Sequence, residues 1–344
     1  MTSTLPRPVT VGLDVGGTKI LGVVVDGENR VLTEARFPTP HISDASTERV
    51  GVDPGPETLA SALARAADEL ANRVEKEGAV VEAVGVGVPG LVDDTGVLRF
   101  APNLLYAKGM SVAKMLGPLL LGLPVVAEND ANCAAIAETT CGAASGESDV
   151  IVLTLGTGIG GGIVLGGRVI RGANGFAGEV GHMVIHPSGP TCPCGRRGCW
   201  ERFASGSGLT RLARERALDG RLESLIRTVG CKVDEVHAEH VTAAAKAGDG
   251  GAQAVLRELA WWLAMGLANL ANALDPKLFV IGGGLIDAGD FLLEPARAAF
   301  REMVEGREHR PRLDIVAAAL GERSGAIGAA LVAREEVRTP AARS

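Results

Sequence analysis

Two stretches decide the fold: Val9-Thr10-Val11-Gly12-Leu13-Asp14-Val15-Gly16-Gly17-Thr18-Lys19 and Val150-Ile151-Val152-Leu153-Thr154-Leu155-Gly156-Thr157-Gly158-Ile159-Gly160-Gly161-Gly162. Each starts as a β-branched run, breaks at a turn rich in glycine and threonine, and resumes as an apolar run. A two-residue turn then leads to a third run, Asp26-Gly27 before Val31 to Phe37 and Gly166-Gly167 before Arg168-Val169. The repetition predicts an internal duplication in which two α/β units present glycine turns from opposite walls of a cleft. Glycines let backbone lie close to a ligand. Amides at Gly16 and Gly17, with Thr18 and Lys19, can face a phosphate, as can those of Gly156, Thr157, Gly158 and Gly160. An ordinary hairpin turn is the alternative for the first string alone. Neither string matches GxxxxGK[ST] or a strand-GxGxxG-helix unit, which disfavours a Rossmann dinucleotide site.

Residues 39–56, rich in proline and polar side chains, read as a surface loop. Leu59, Leu63, Ala66, Leu70 and Val74 recur at helical spacing and predict an amphipathic helix over 57–77. Val84 to Gly90 reads as a buried strand ending in a turn. Asn103 follows in a loop, as a turn former or as an amide that meets a ligand. Pro124 to Ala127 is a short strand running into Glu128-Asn129-Asp130, and Ala131 to Cys141 is an alanine-rich helix. Asn129 or Asp130 is expected as its N-cap. A carboxylate there lies among free amides at the positive end of the helix dipole, which favours its ionised form and lets it accept a proton.

Further on, 209–217 and 241–247 read as helices. Residues 252–274 form the longest periodic stretch, with Leu256, Leu259, Leu263, Leu267, Leu270 and Leu274 on one face and Trp261 and Trp262 beside it. So apolar a helix belongs in the core or between subunits. Lys277 to Ile281 is a strand opening into Gly282-Gly283-Gly284, a strand-to-helix turn or a flat backbone against a purine. A strand over 313–317 and a helix over 324–333 close the chain.

Between these lies Gly178-Glu179-Val180-Gly181-His182, followed by Cys192-Pro193-Cys194-Gly195-Arg196-Arg197-Gly198-Cys199-Trp200-Glu201. His182, Cys192, Cys194 and Cys199 supply an imidazole and three thiolates, the donor set of a closed tetrahedral structural zinc. Such an ion leaves no position for water and acts as a staple. It would clamp Glu179, His182 and Glu201 into one neighbourhood, a rigid set of acceptors for a polyol. Disulfides or a redox pair are the alternative.

The chain has 344 residues, 46% of them hydrophobic, enough for about two domains. Its formal charge of −7 argues against nonspecific nucleic-acid binding. No apolar leader precedes the first strand and no stretch reads as a membrane span, so a cytoplasmic protein is expected. Cys133, Cys141 and Cys231 read as core thiols.

Taken together, the pieces resemble the ROK family (repressor, open reading frame, kinase), and within it the bacterial glucokinases. The resemblance is carried by DVGGTK at 14–19, END at 128–130, LGTGIGGG at 155–162, GEVGH at 178–182 and CPCGRRGCWE at 192–201, in family order over nearly the whole chain. It implies two ribonuclease-H-like domains of the actin and sugar-kinase type with the active site in the cleft between them. The smaller would comprise 1–122 with a returning helix at 324–344, and the larger 123–323. It further implies ATP-dependent phosphorylation of a hexose, expected to be glucose, with Mg2+ as cofactor, a structural Zn2+, and a homodimer or homotetramer. Asp130 would be the general base for the 6-hydroxyl, while Asn103, Asn129, Glu179, His182 and Glu201 hold the other hydroxyls. Asp14, both glycine turns and Gly282 to Gly284 would serve the nucleotide. The string after Asn103 is Leu104-Leu105-Tyr106, where family members often carry tryptophan. N-acetylmannosamine, N-acetylglucosamine and fructose are rival acceptors, and polyphosphate is a rival donor. Family repressors carry a helix-turn-helix ahead of the first motif, and too few residues precede Asp14 for one; a sugar sensor would leave Asp14, Lys19 and Asp130 unexplained.

Overall fold

The computed structural model describes residues 7–40, 55–101, 104–230 and 232–339. Asn103, Cys231 and most of the loop expected at 39–56 lie outside the described residues. The chain divides into two compact units, one of Met1–Ser145, Val169–Gly178 and Arg323–Ser344, the other of Gly146–Arg168 and Glu179–Glu322.

In the first unit β1 (Arg7–Val15), β2 (Lys19–Asp26) and β3 (Val31–Pro38) form the meander read from the sequence. After α1 (Pro56–Glu75) come β4 (Ala79–Val88), the hairpin β5 (Leu91–Val92) and β6 (Leu98–Phe100), the short α2 (Val112–Leu116), β7 (Val125–Asn129) and α3 (Asp130–Cys141). The sheet order is β3-β2-β1-β4-β7, antiparallel across the meander and parallel from β1 through β4 to β7. β1 is buried along nearly its whole length because helices cover both faces of the sheet. One cover is α1, which begins with a proline in its first turn and buries Leu59, Leu63, Leu70 and Val74.

The second unit repeats the plan. β8 (Val150–Leu155), β9 (Ile159–Leu165) and β10 (Arg168–Val169) precede α4 (Glu201–Ala204), α5 (Gly206–Leu218), α6 (Glu223–Val229), α7 (Ala238–Lys246) and α8 (Gly250–Leu274). β11 (Leu278–Gly282), α9 (Asp290–Met303) and β12 (Asp314–Ala317) complete it. Its sheet runs β10-β9-β8-β11-β12, with β8 antiparallel to β9 and parallel to β11, which is parallel to β12. The duplication read from the glycine turns is thus the topology of the fold. α8 buries Leu256, Leu259, Leu263, Leu267 and Leu270, and Asp249 caps it by accepting from the Ala252 amide at 2.8 Å. No helix among the described residues is long and apolar enough to cross a membrane.

The last helix, α10 (Ser324–Arg338), returns to the first unit and packs on β1, β4 and α3. This contact is backbone against backbone. A Cβ at Gly12 would strike the Ala326 carbonyl, one at Gly85 the Ala329 carbonyl, and one at Gly328 the Cys133 carbonyl. β7 pairs with β4 and α3 packs on α10, so residues 125–141 group with the first unit, whereas the sequence reading drew its boundary at 122/123.

Gly328 gives a test in which two effects oppose. Alanine stabilises an exposed helix interior by about 1 kcal/mol over glycine, but overpacking against fixed backbone costs about 1–3 kcal/mol. Gly328→Ala is expected to lower the urea midpoint; a midpoint raised by the substitution would show that α3 and α10 have slack.

Candidate active site

In the first unit the candidate side chains Asp14 and Asp130 lie at the carboxyl ends of the parallel strands, where ligands of open α/β sheets bind. Asp14 is next to last in β1, and the register aligns it with Gly87 of β4, which in turn aligns with Glu128 of β7. Gly87 keeps this row open: a Cβ there would lie 3.4 Å from Cys133 Sγ, 3.6 Å from Asp14 Oδ1 and 3.7 Å from Asp130 Cα. Gly325 of α10 is pressed against the Asp14 carboxyl. Burial therefore pushes the Asp14 carboxyl up to about 8, the Asp130 charge adds to the rise, and Lys19 opposes it. The turn between β1 and β2 closes through the Gly16 amide on the Lys19 carbonyl at 2.9 Å. Buried Thr39 secures it, its hydroxyl donating to the Gly16 carbonyl at 2.8 Å. Thr18 and Lys19 are left exposed.

Asp130 opens α3. Asn129 is its N-cap, its Oδ1 accepting from the Asn132 amide at 3.0 Å while its Nδ2 donates to the Gly90 carbonyl at 3.0 Å. Asp130 Oδ1 accepts from the Ala131 amide at 2.8 Å. The carboxylate thus sits at the positive end of the helix dipole on a backbone pinned from both sides.

In the second unit the turn after β8 is tied to the start of α5: Gly206 N–H donates to the Gly156 carbonyl at 2.8 Å and Ser207 N–H to the Thr157 carbonyl at 3.2 Å. Ser205 caps α5 by accepting from the Gly208 amide at 3.1 Å. Beside this junction lies a cavity of about 860 Å³ lined by Gly156, Thr157, Gly206, Ser207 and Gly284, with Arg214, His237, Lys246, Glu239 and Asp287 around it. Its size and the side chains of Arg214, His237 and Lys246 suit a nucleoside polyphosphate. Of the expected nucleotide residues, Gly156, Thr157 and Gly284 line this cavity. Gly158 leaves room for the Glu201 carboxylate, Gly160 pairs with Thr154 across β8 and β9, Gly282 abuts Ala318, and Gly283 (φ +82°) packs on the Leu155 backbone. Arg214, His237 and Lys246 went unread because they come from α5, the N-cap of α7 and the end of α7, with no motif around them.

The cysteine segment is folded as a knuckle. Cys192 N–H donates to the Arg196 carbonyl at 2.8 Å and Gly195 N–H to the Cys192 carbonyl at 2.9 Å. One ligand atom from each of His182, Cys192, Cys194 and Cys199 lies within 4.8 Å of all the others. Cys194 and Cys199 sulfurs are 3.6 Å apart, and Cys192 Sγ is 3.7 Å from His182 Nδ1. Bonds of about 2.3 Å to sulfur and about 2.0 Å to nitrogen around a tetrahedral zinc require edges of this length. Burial and a hydrogen bond to Glu201 push the Cys192 thiol up and burial pushes Cys199 up, whereas hydrogen bonds from the Arg196 amide and the neighbouring thiols hold Cys194 down. The imidazole is flanked by two carboxylates, Glu201 Oε1 3.8 Å from Nδ1 and Glu179 Oε2 3.8 Å from Nε2. Burial holds the Glu179 carboxyl above its usual range, with His182 opposing and Glu201 adding to the rise. Fully buried Trp200 anchors the segment, its Nε1 donating to the Trp262 carbonyl at 2.8 Å in the notch that Gly266 leaves in α8.

The model of the ROK family matches residues 10–336. A glucokinase of Streptomyces coelicolor is 40% identical over 330 residues, covering 95% of this chain and 98% of that protein. A glucokinase of Halalkalibacterium halodurans is 34% identical, covering 95% of each. Among solved structures, a ROK family glucokinase from Streptomyces griseus in complex with glucose and AMPPNP is 41% identical, with a TM-score of 0.81 over 95% of this chain and 99% of that one. With a family match over nearly its whole length and both glycine turns at equivalent places in two sheets of one topology, the chain belongs to the ROK family.

Proposed function

We propose that this chain is an ATP-dependent glucokinase that transfers the γ-phosphoryl group of ATP to the 6-hydroxyl of glucose. The observation that carries the reading is Asp130 at the first position of α3, with its flanking backbone fixed and Asp14 close by. Phosphoryl transfer is largely positioning and charge stabilisation. Asp130 orients the hydroxyl and takes its proton, while Asn103, Asn129, Glu179, His182 and Glu201 hold the remaining hydroxyls. The turns at 16–19 and 156–158 hold the phosphates. Mg2+ would neutralise charge on the transferring group, and Asp14, at the end of β1 beside Asp130, would hold it.

Asp130→Asn keeps the volume and removes the acceptor charge. It is expected to lower kcat by at least about a hundredfold with glucose binding retained in calorimetry. Near-normal turnover would reduce Asp130 to a helix-terminal residue, and lost glucose binding would make it chiefly a sugar ligand.

We further propose that His182, Cys192, Cys194 and Cys199 bind one Zn2+ per chain, which the donor set and its spacing support. Cys194→Ser should lose zinc in elemental analysis together with glucose affinity, because Glu179, His182 and Glu201 share that anchor. Metal-free wild type with full glucose affinity would separate the two.

A homo-oligomer is proposed as well, with the outer stripe of α8 as a contact: Trp261 is 43% exposed on a helix otherwise buried on most sides. Trp261→Glu is expected to shift sedimentation toward monomer. A wild-type monomer at micromolar concentration would end this proposal.

A further inference from the structure

Glu128 is 7% exposed, and its carboxylate meets three donors. Arg171 Nε lies 2.6 Å from Oε2, while Asn132 Nδ2 and the Asn129 amide each lie 3.0 Å from Oε1. A carboxylate so withdrawn from water needs a charged partner, and Arg171 supplies it as an ion pair. The other two donors bracket Asp130: one is the backbone just before it, the other a fully buried side chain two residues after it. Asn132 has no alternative anchor, since its Oδ1 has no partner among the described residues.

Arg171 is itself held in place. Its carbonyl accepts from the Ala177 amide at 3.0 Å, closing 171–177 into a loop, and Gly175 (φ +85°) presses on the backbone of Val92, Asp93 and Asp94. The chain then runs through Gly178 directly into Glu179. The Arg171 charge also reaches the group that Glu128 shares with Asp14 and Asp130. Burial pushes the Cys133 thiol well up, those three carboxylates add to the rise, and Arg171 opposes it.

We propose that Arg171 is a positioning residue for phosphoryl transfer: its ion pair with Glu128 fixes the strand-to-helix junction that aims the Asp130 carboxylate. The inference rests on the reading of Asp130 as the base. Without the guanidinium, Glu128 turns toward water and releases its bonds to Asn129 and Asn132, and the first turn of α3 gains freedom. Misplacement by about 1 Å costs about a hundredfold in rate. The packing of α10 on β1 and β4 does not involve this pair, so the fold should survive its loss.

The test compares wild type, Asp130→Asn, Arg171→Met, Arg171→Lys, Glu128→Gln and the Arg171→Met/Glu128→Gln double variant, reading kcat, both KM values and the melting temperature. Arg171→Met is expected to lower kcat by about 10- to 100-fold, with both KM values held within about threefold and a melting temperature within a few degrees of wild type. Arg171→Lys should recover part of the loss, and the double variant should be no slower than Glu128→Gln. Normal turnover in Arg171→Met overturns the proposal, as does additive loss in the double variant. So does a raised glucose KM at unchanged kcat, which would assign Arg171 to sugar binding. Wild type inactive on glucose but active on another hexose corrects the acceptor alone, and the series is read on that hexose. Asp130→Asn with full turnover removes the base and this proposal with it.

Discussion

Where α10 crosses β1 and β4, backbone lies on backbone, and the chemistry of the first unit depends on that approach. Gly12 and Gly85 carry no side chain on the face that α10 covers, so the helix comes close enough for Gly325 to touch the Asp14 carboxyl. The same approach brings Gly328 against the Cys133 carbonyl, which sets the height of α3 over the sheet and therefore the place of Asp130 at its start. Desolvation of Asp14 and aim of Asp130 are two results of one packing constraint. A side chain at any of these glycines would have to push apart a close-packed interior.

The second unit solves its own positioning problem with different means. There Glu179 and His182 lie on a segment with little regular structure and few apolar side chains to order it, 179–200, and Glu201 follows it as the first residue of α4. Two anchors replace the missing core. The clustered side chains of His182, Cys192, Cys194 and Cys199 bring its ends together, and Trp200 drops into the notch left by Gly266. An irregular segment held this way can present polar groups at fixed positions while their outer faces stay open to a ligand.

Much of this was legible in the sequence, for identifiable reasons. Strand, glycine turn and strand at 9–25 and at 150–165 are local patterns, so the meanders and their duplication could be read directly. The cysteine spacing and Asn129 as a cap are likewise local. α9 was missed because Pro295 signals a break, overridden by the burial of Leu292, Leu293, Ala296 and Phe300. β5, β6, α2, α4 and α6 are too short for a period to show. Long-range roles were beyond reach: nothing near Arg171 or Glu128 in the chain announces their pairing across 43 residues. The cavity residues Arg214, His237 and Lys246 converge only once α5 and α7 pack.

A net charge of −7 sits oddly with a donor that is itself a polyanion. The resolution is range. Charges separated by more than about 8–10 Å are screened at physiological ionic strength, so the field at a phosphate is set by its immediate neighbours rather than by the total. Each unit offers basic side chains beside its glycine turn: Lys19 at an exposed turn in the first, and Arg214, His237 and Lys246 around the cavity in the second. The carboxylates of the first unit's cluster, Asp14, Glu128 and Asp130, are differentiated. Arg171 pairs with Glu128, burial raises the Asp14 carboxyl, and Asp130 lies at the positive end of the α3 dipole. Three acidic side chains in one register neighbourhood thus take three roles, set by what each one touches.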